Sequence, residues 1–338
     1  KLMQKKMAGH TYPRTCFVSD YTGHELMAAL IDEVRRRGIT VMEEIFVSKL
    51  LTSGRRVAGA VAFNIKRGGF IVFRSKAIVL ATGGAGRMYE TTTNPSSATG
   101  DGKILALDAG AELKDMEMYQ FHPTSMVWPP SCKGILVTEA VRGEGGILLN
   151  IKGERFMECY HKMLELAPRD VVSRSIWREI SEGRGTPHGG VYLSITHVPP
   201  EIIKERLKTM YKQFFLAGVD MTKEPMEVAP SAHYYMGGVK INIGTETTLK
   251  GLYAAGEEAS GVQGGNRLGG NSLSDIQVFG RRAGENAALL AREEEITPPI
   301  DAKQVAQEQE RILSLLAEKP NGIRPIEVRR QLNKIMEE

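Results

Sequence analysis

The chain has 338 residues, 42% hydrophobic and 25% charged, a composition that excludes general disorder and leaves room for two domains, each with its own core. Its 44 basic and 40 acidic residues give a net charge of +4 with no block of one sign, so nucleic acid and anionic membranes are not expected partners. Cys16, Cys132 and Cys159 stand apart without zinc-ligand spacing, as reduced cytosolic thiols do; no apolar run nears the roughly 20 residues of a membrane span, and "KLMQKKMAGH" lacks the apolar core of a secretory signal.

Residues 25 to 37, "ELMAALIDEVRRR", place Leu26, Leu30, Ile31 and Val34 at helical spacing, which predicts a helix with one buried face ended by Gly38. "ITVMEEIFVSKLL", "RVAGAVAFNI" and "GGFIVFRSKAIVLATGG" then predict four strands. The last, "AIVLATGG" at 77 to 84, is apolar until it meets glycine, which predicts a strand buried on both faces. Thr82, Gly83 and Gly84 would then stand at its carboxyl end, where α/β folds bind ligands, although an ordinary strand-end turn fits this segment equally.

From 122 to about 232, prolines, short helices and loops replace that pattern, which predicts a second domain inserted into the first. At "GLYAAGE" a short strand returns, and the helix that follows carries Ile276, Phe279, Ala283 and Ala287 on one stripe, with Gly280 and Gly284 permitting close backbone approach. After "ITPP" at 296 to 299 an amphipathic helix is expected to bury Val305, Ile312, Leu313 and Leu316. No repeat or low-complexity segment occurs.

Residues 261 to 273, "GVQGGNRLGGNSL", combine bare backbone with one arginine. Glycine lets a ligand lie against the main chain, and such a loop entering a helix makes a site for negative charge. Asn271 and Ser272 are good N-caps, the N–H groups around Ser272 and Leu273 would face the ligand, and Arg267 supplies a planar fork for a carboxylate.

Other charged residues have similar surroundings. "MYQFHPT" sets His122 between Phe121 and Pro123; "GILVTEAVRGEGGILLN" sets Thr138, Glu139 and Arg142 between an apolar run and a glycine turn; "APRDVVSRSI" starts a helix at Arg169 and Asp170; "SAHYYMGG" surrounds His233 with tyrosines. Each has a plain alternative: a satisfied core histidine, a helix pair of Glu139 and Arg142 adding about 0.3 kcal/mol, a helix-start charge at Asp170. Together, two histidines and three arginines beside Gly, Pro or apolar residues describe a pocket for a small dicarboxylic acid.

In order and spacing, "QFHPT", "TEAVRGEGGILLN", "GERFME", "RDVVSRSI", "HYYMGG", "GLYAAGE" and "NRLGGNSL" resemble the flavoprotein subunit of succinate dehydrogenase and fumarate reductase, over residues 12 to 335. The resemblance implies an α/β fold: a Rossmann-like FAD-binding domain at 1–121 and 233–295, an α+β capping domain at 122–232, and the start of a helical C-terminal domain at 300–338. It implies FAD and hydride exchange with succinate or fumarate. His122, Thr138, Glu139, His233 and Arg267 would surround the dicarboxylate, Arg169 would exchange the proton, and Glu139 and Arg142 would carry it to solvent. Thr82, Gly83, Asp101, Glu257, Asn271, Ser272 and Leu273 would line FAD. The partners would be an iron–sulfur protein and a membrane anchor, with no membrane span of the chain's own, and the location cytoplasmic or at the inner face of the cell membrane through those partners.

The family's opening GxGxxG strand and helix are missing, as is most of the helical domain, so a fragment of a larger flavoprotein that holds FAD weakly is expected. His10 and His24 do not sit in the family's flavin-attachment motif. L-aspartate oxidase is similar but reads "NRLASNSL" where this chain has Gly269 and Gly270. A thiol-linked fumarate reductase and a non-catalytic structural chain are the other readings.

Overall fold

A computed structural model describes residues 3–5, 7, 9–19, 21–317 and 322–337. Two sheets matter for function. The larger is a four-stranded antiparallel sheet in the order Tyr119–Trp128, Met226–Tyr235, Val191–Ser194, Ile147–Leu149. Helix Arg169–Glu179 packs on its first two strands, and Met126, Val141, Leu148, Val172, Ile176, Leu193 and Phe214 form the core between them. Burying each such side chain contributes about 1.5–3 kcal/mol. The first two strands pair antiparallel, with Phe121 opposite Ala232 and His122 opposite Ser231.

The second unit holds the three-stranded meander Ile45–Thr52, Val57–Asn64 and Phe70–Arg74. Beside it, strands Ile78–Leu80 and Leu252–Ala254 pair in parallel, and Leu50, Val57, Leu80, Leu105, Val239 and Leu252 make their core. Because the pair is parallel, both carboxyl ends open on the same side. Residues 82 to 84 and the short turn Gly256–Glu258 therefore lie side by side, next to helix Asp101–Asp108. The four predicted strands are present within the expected segments.

Several expectations from the sequence are corrected by the packing. Helix Thr22–Arg36 forms where expected, with Gly38 beyond its end at φ 62, but none of its residues is buried. Leu30 and Ile31 are exposed, while Leu26 lines a groove shared with the first turns of helix Asn271–Glu293. Strand Ile78–Leu80 is not covered on both faces: it pairs on one side only, and Val79 is 39% exposed. Helix Asn271–Glu293 does turn Ala283 inward, with Phe279 and Ala287 half-buried, but Ile276 is exposed. Gly280 and Gly284 face open space, since a Cβ at either would meet no atom within 4 Å.

The late helix Ala302–Ser314 leaves Leu313 and Leu316 exposed, and Val305 and Ile312 are only half-buried. It docks through polar groups instead. The Gln304 side chain accepts from Thr52 N–H at 3.0 Å and donates to Thr52 O at 2.8 Å, completing the main-chain bonding of a strand end, and Glu308 is buried against Arg311. No described helix is long and apolar enough to cross a membrane, and all three cysteines are free.

The open surroundings of Gly280 give a stability test. Gly280→Ala adds no clash and removes backbone entropy from the unfolded chain, so it is expected to stabilise by about 0.5–1 kcal/mol, read as a raised urea midpoint. A drop would mean that the helix packs closely there after all.

Candidate functional site

Strand alternation sends Gln120, His122 and Thr124 to the buried face of Tyr119–Trp128, while Phe121 points out. Gln120 is the centre of the site. Its Oε1 accepts from Arg169 Nη1 at 3.1 Å and from Arg267 Nη2 at 3.2 Å, so one carbonyl oxygen holds two guanidiniums together. Its Nε2 donates to Arg267 O at 2.7 Å and Asn266 Oδ1 at 2.9 Å, which fixes the amide with its oxygen towards the arginines. Asn266 Nδ2 in turn donates to Asp170 Oδ1 at 2.7 Å.

Arg169 begins its helix directly after Pro168, and its Nε donates to Glu139 Oε2 at 3.1 Å. Glu139 starts the short helix Glu139–Gly143 after Thr138, and Arg142 one turn on reaches the same Oε2 at 4.0 Å. Arg142 Nη1 also donates to Glu165 O at 2.7 Å. All four side chains are buried. Gly269 closes this cluster: a Cβ there would stand 3.1 Å from Glu139 Oε2 and 3.4 Å from Arg169 Nη2. A side chain at 269 would thus press on the ion pair beneath it.

Arg267 donates through Nη1 to Ser272 Oγ at 3.1 Å and lies over the Tyr234 ring, 4.2 Å from its centroid. Burial pushes the guanidinium down to about 10, and Arg169 adds to the effect. Burial likewise brings Arg142 down to about 10. Helix Asn271–Glu293 is capped by Gly270 at φ 81, not by Asn271 or Ser272. The tight turn directs the N–H groups of Asn271 and Leu273 to Leu268 O and Gly270 O, at 3.2 Å each, rather than outward. Ser272 Oγ serves Arg267 instead of the helix end.

The rings of His122 and His233 meet edge to face at 5.1 Å. Thr124 N–H donates to His122 Nδ1 at 3.2 Å, which leaves the proton of the neutral ring on Nε2. His233 Nδ1 bonds Thr93 Oγ1 at 2.8 Å. Burial holds both rings well below the usual histidine value, and the positive charge of Arg169 deepens the shift in each. Both are therefore neutral at neutral pH, and His122 keeps its donor on Nε2. Thr138 Oγ1 is buried without a partner among the described residues.

His233, Glu257, Arg267, Ser272 and Leu273 line one cavity of about 340 Å³. Glu257 accepts from Tyr235 N–H at 2.8 Å, and burial raises its carboxyl above the usual range. Gly84 is confined against that carboxylate, whereas Gly83, at φ 80, has an open face where a Cβ would meet nothing. Asp101 opens its helix and accepts from Thr99 Oγ1 at 2.5 Å. Of the residues expected from the sequence, Glu139, Arg142, Arg169 and Arg267 are joined by direct or shared contacts. His122 lies beside His233, Thr82 and Gly83 lie in the turn after strand Ile78–Leu80, and Asp101 opens the helix next to it. His10 bonds Gly269 O at 3.0 Å, and His24 is exposed.

Gln120, Asn266, Thr93, Lys103 and Glu258 are additions that the sequence reading lacks. Gln120 has a sequence signal, standing two residues before His122 and hence on the same strand face. Lys103 and Glu258 are charges set in apolar or small-residue runs, "GDGKILAL" and "AAGEEAS". Among the described residues no His/Cys/Asp/Glu group has the arrangement of a metal site.

Comparison with known proteins gives the chain's family and fold. The model of the FAD binding domain family matches residues 1–273. A chain of the fumarate reductase (CoM/CoB) of Methanothermobacter marburgensis is 50% identical over 99% of this chain and 60% of its own length. The fumarate reductase flavoprotein subunit of Escherichia coli is 42% identical over 85% of this chain and 50% of its own. A solved FrdA chain of E. coli quinol fumarate reductase superposes with a TM-score of 0.91 at 38% identity, covering 99% of this chain and 60% of that one. Sdh1 of Mycobacterium smegmatis gives 0.83 at 44% identity, covering 99% and 58%. The chain thus spans about half to three-fifths of the length of these relatives.

The neutral histidines predict a pH dependence of stability. Their folded values are depressed below the ordinary 6.5, so the stability they contribute is complete above about pH 6.5 and declines as pH falls from there towards the folded values. His122→Gln/His233→Gln is expected to lose less stability than the wild type between pH 7.5 and 5.5, measured by urea unfolding. Parallel losses would show that neither ring is held neutral.

Proposed function

The chain belongs to the FAD-binding-domain family, and on that premise we propose that it is part of a flavoprotein that interconverts succinate and fumarate. The observation that carries the reading is the shared bond from Gln120 Oε1 to Arg169 and Arg267, with Arg169 also held by Glu139. Residues drawn from four distant parts of the chain converge on one cationic cluster beside an open cavity. A dicarboxylate supplies the negative charge that such a cluster lacks.

The residues present suit FAD. Gly83 offers bare backbone with an open face, and Glu257 offers a carboxylate for ligand hydroxyls at the wall of a cavity of small-molecule size. Thr82, Gly83, Asp101, Glu257, Asn271, Ser272 and Leu273 would hold the cofactor. When bound, FAD supplies or accepts the hydride of the reaction. The remaining chemistry belongs to side chains.

Arg267, His122, His233 and Thr138 orient the carboxylates; neutral His122 donates from Nε2 without adding charge, and Thr138 Oγ1 is a buried hydroxyl with no partner among the described residues. In reduction, as one vinylic carbon would gain hydride, the electron pair of the double bond moves to the other carbon and into the carboxylate attached to it, where Arg267 stabilises the growing charge most. Arg169 gives its proton to the other carbon. Glu139, bonded to Arg169 Nε, returns a proton to it, and Arg142 stands next along the path. Immediate refill through Glu139 keeps a neutral Arg169 short-lived.

The intact enzyme would pass electrons to an iron–sulfur partner, with a membrane anchor holding the assembly at the inner face of the cytoplasmic membrane. A second reading is favoured by the 50% identity to the enzyme whose name carries CoM/CoB: thiols as the source of electrons for fumarate reduction. L-aspartate oxidation fits less well, since the alanine it expects at 269 would press on the Glu139–Arg169 pair.

The test uses the full-length protein with FAD and a reduced viologen dye. Arg169→Gln is expected to lower kcat for fumarate reduction by about 10²–10⁴-fold with little change in KM. An unchanged kcat removes Arg169 from proton transfer. Peroxide and iminoaspartate from L-aspartate, with no turnover of fumarate or succinate, would replace the substrate assignment; a thiol pair able to substitute for the dye would select the second electron source.

A further inference from the structure

The proton-transfer cluster leaves one buried ion pair without a role. Lys103 and Glu258 are 2% and 0% exposed, and Lys103 Nζ lies 3.6 Å from Glu258 Oε2. A buried charge pair of this kind rarely improves stability over well-packed apolar side chains, so its presence calls for another reason. The surrounding bonds supply one. Lys103 Nζ donates to Gly83 O at 2.9 Å and to Glu257 O at 3.0 Å, so the three N–H groups of the ammonium face three acceptors on two different turns. Thr82 Oγ1 donates to the same Glu258 Oε2.

The pair therefore ties the two parallel strand ends together from behind. On one side it pins the carbonyl of Gly83, whose opposite face is open. On the other it pins the carbonyl of Glu257, whose side chain is directed into the cavity shared with His233 and Arg267. Gly102 completes the arrangement, because a Cβ there would collide with Thr82 Oγ1 and lie 2.7 Å from Glu258 Oε2. Lys103 sits in the first turn of helix Asp101–Asp108, where a helix disfavours a cation, and burial pushes its ammonium below the usual lysine range. These costs are offset by the bonds it makes to the two turns and by its place over the Tyr235 ring, 5.4 Å from the centroid.

We propose that Lys103 and Glu258 are positioning residues for FAD: their ion pair fixes the spacing between the Gly83 turn and Glu257, the two backbone segments that would grip the cofactor. Neither side chain touches the ligand. The pair acts through the carbonyls it holds and through Thr82. The inference rests on FAD binding and not on the identity of the dicarboxylate.

The experiment compares FAD dissociation constants and apo-protein melting for the full-length protein and three variants, by flavin fluorescence and calorimetry. Lys103→Met alone is expected to lower both FAD affinity and apo melting, since it strands a buried carboxylate. Lys103→Met/Glu258→Leu restores an apolar, well-packed core; it is expected to regain apo melting while still binding FAD at least tenfold more weakly. Wild-type FAD affinity in this double variant would overturn the proposal and leave the pair a packing feature. Glu258→Asp keeps the charge but cannot reach Thr82 and Lys103 together, so it carries the same comparison if the double variant does not fold: weaker FAD binding at near-normal melting supports the proposal, and unchanged binding overturns it. Absence of fumarate or succinate turnover in the wild type would remove the substrate reading and leave these binding constants interpretable.

Discussion

One carbonyl oxygen, Oε1 of Gln120, holds the site together, because it gives two buried guanidiniums a common acceptor where solvent gives them none. Bonds to charged groups contribute about 1.5–3 kcal/mol each, and here they act against the repulsion of like charges. The amide cannot turn over without presenting N–H groups to cations, and its own Nε2 is committed to Arg267 O and Asn266. The position of Arg169 relative to Arg267, and hence the span available to a ligand between them, follows from that one side chain.

The same positive field explains the chemistry of the neighbours. His122 and His233 are neutral because burial disfavours their charge and because a further cation beside Arg169 would be repelled. Glu139 stands between Arg169 and Arg142 and is the carboxylate through which the cluster is balanced. The strand-end side of the site is built differently: Lys103 and Glu258 neutralise one another, and what they present outward is backbone and the Glu257 carboxyl.

Much of this was legible in the primary structure. The glycine-flanked Arg267, the strand that ends at Thr82 and Gly83, the helix starting at Arg169, and the Glu139–Arg142 spacing all follow from local rules of turn, strand and helix. What local rules misjudged were faces and caps. Leu313 and Leu316 read as a buried stripe, yet Gln304 and Glu308 make the docking side, because a strand end with open main-chain bonds attracts an amide more specifically than apolar contact does. Asn271 and Ser272 read as caps, yet Gly270 takes that position, since the left-handed backbone there suits a residue without a Cβ.

By itself the sequence determined which residue types were available and which local elements carried them: the strands, the helix starts, the bare-backbone loops and the family they announce. Only the tertiary structure decided partnership. That Arg169 shares an oxygen with Arg267, that Glu139 lies under Gly269, and that Lys103 meets Glu258 are contacts between groups far apart along the chain. No periodicity encodes such pairs, because they are set by parallel strand ends opening on one side and by antiparallel strands from distant parts of the chain pairing at His122 and Ser231.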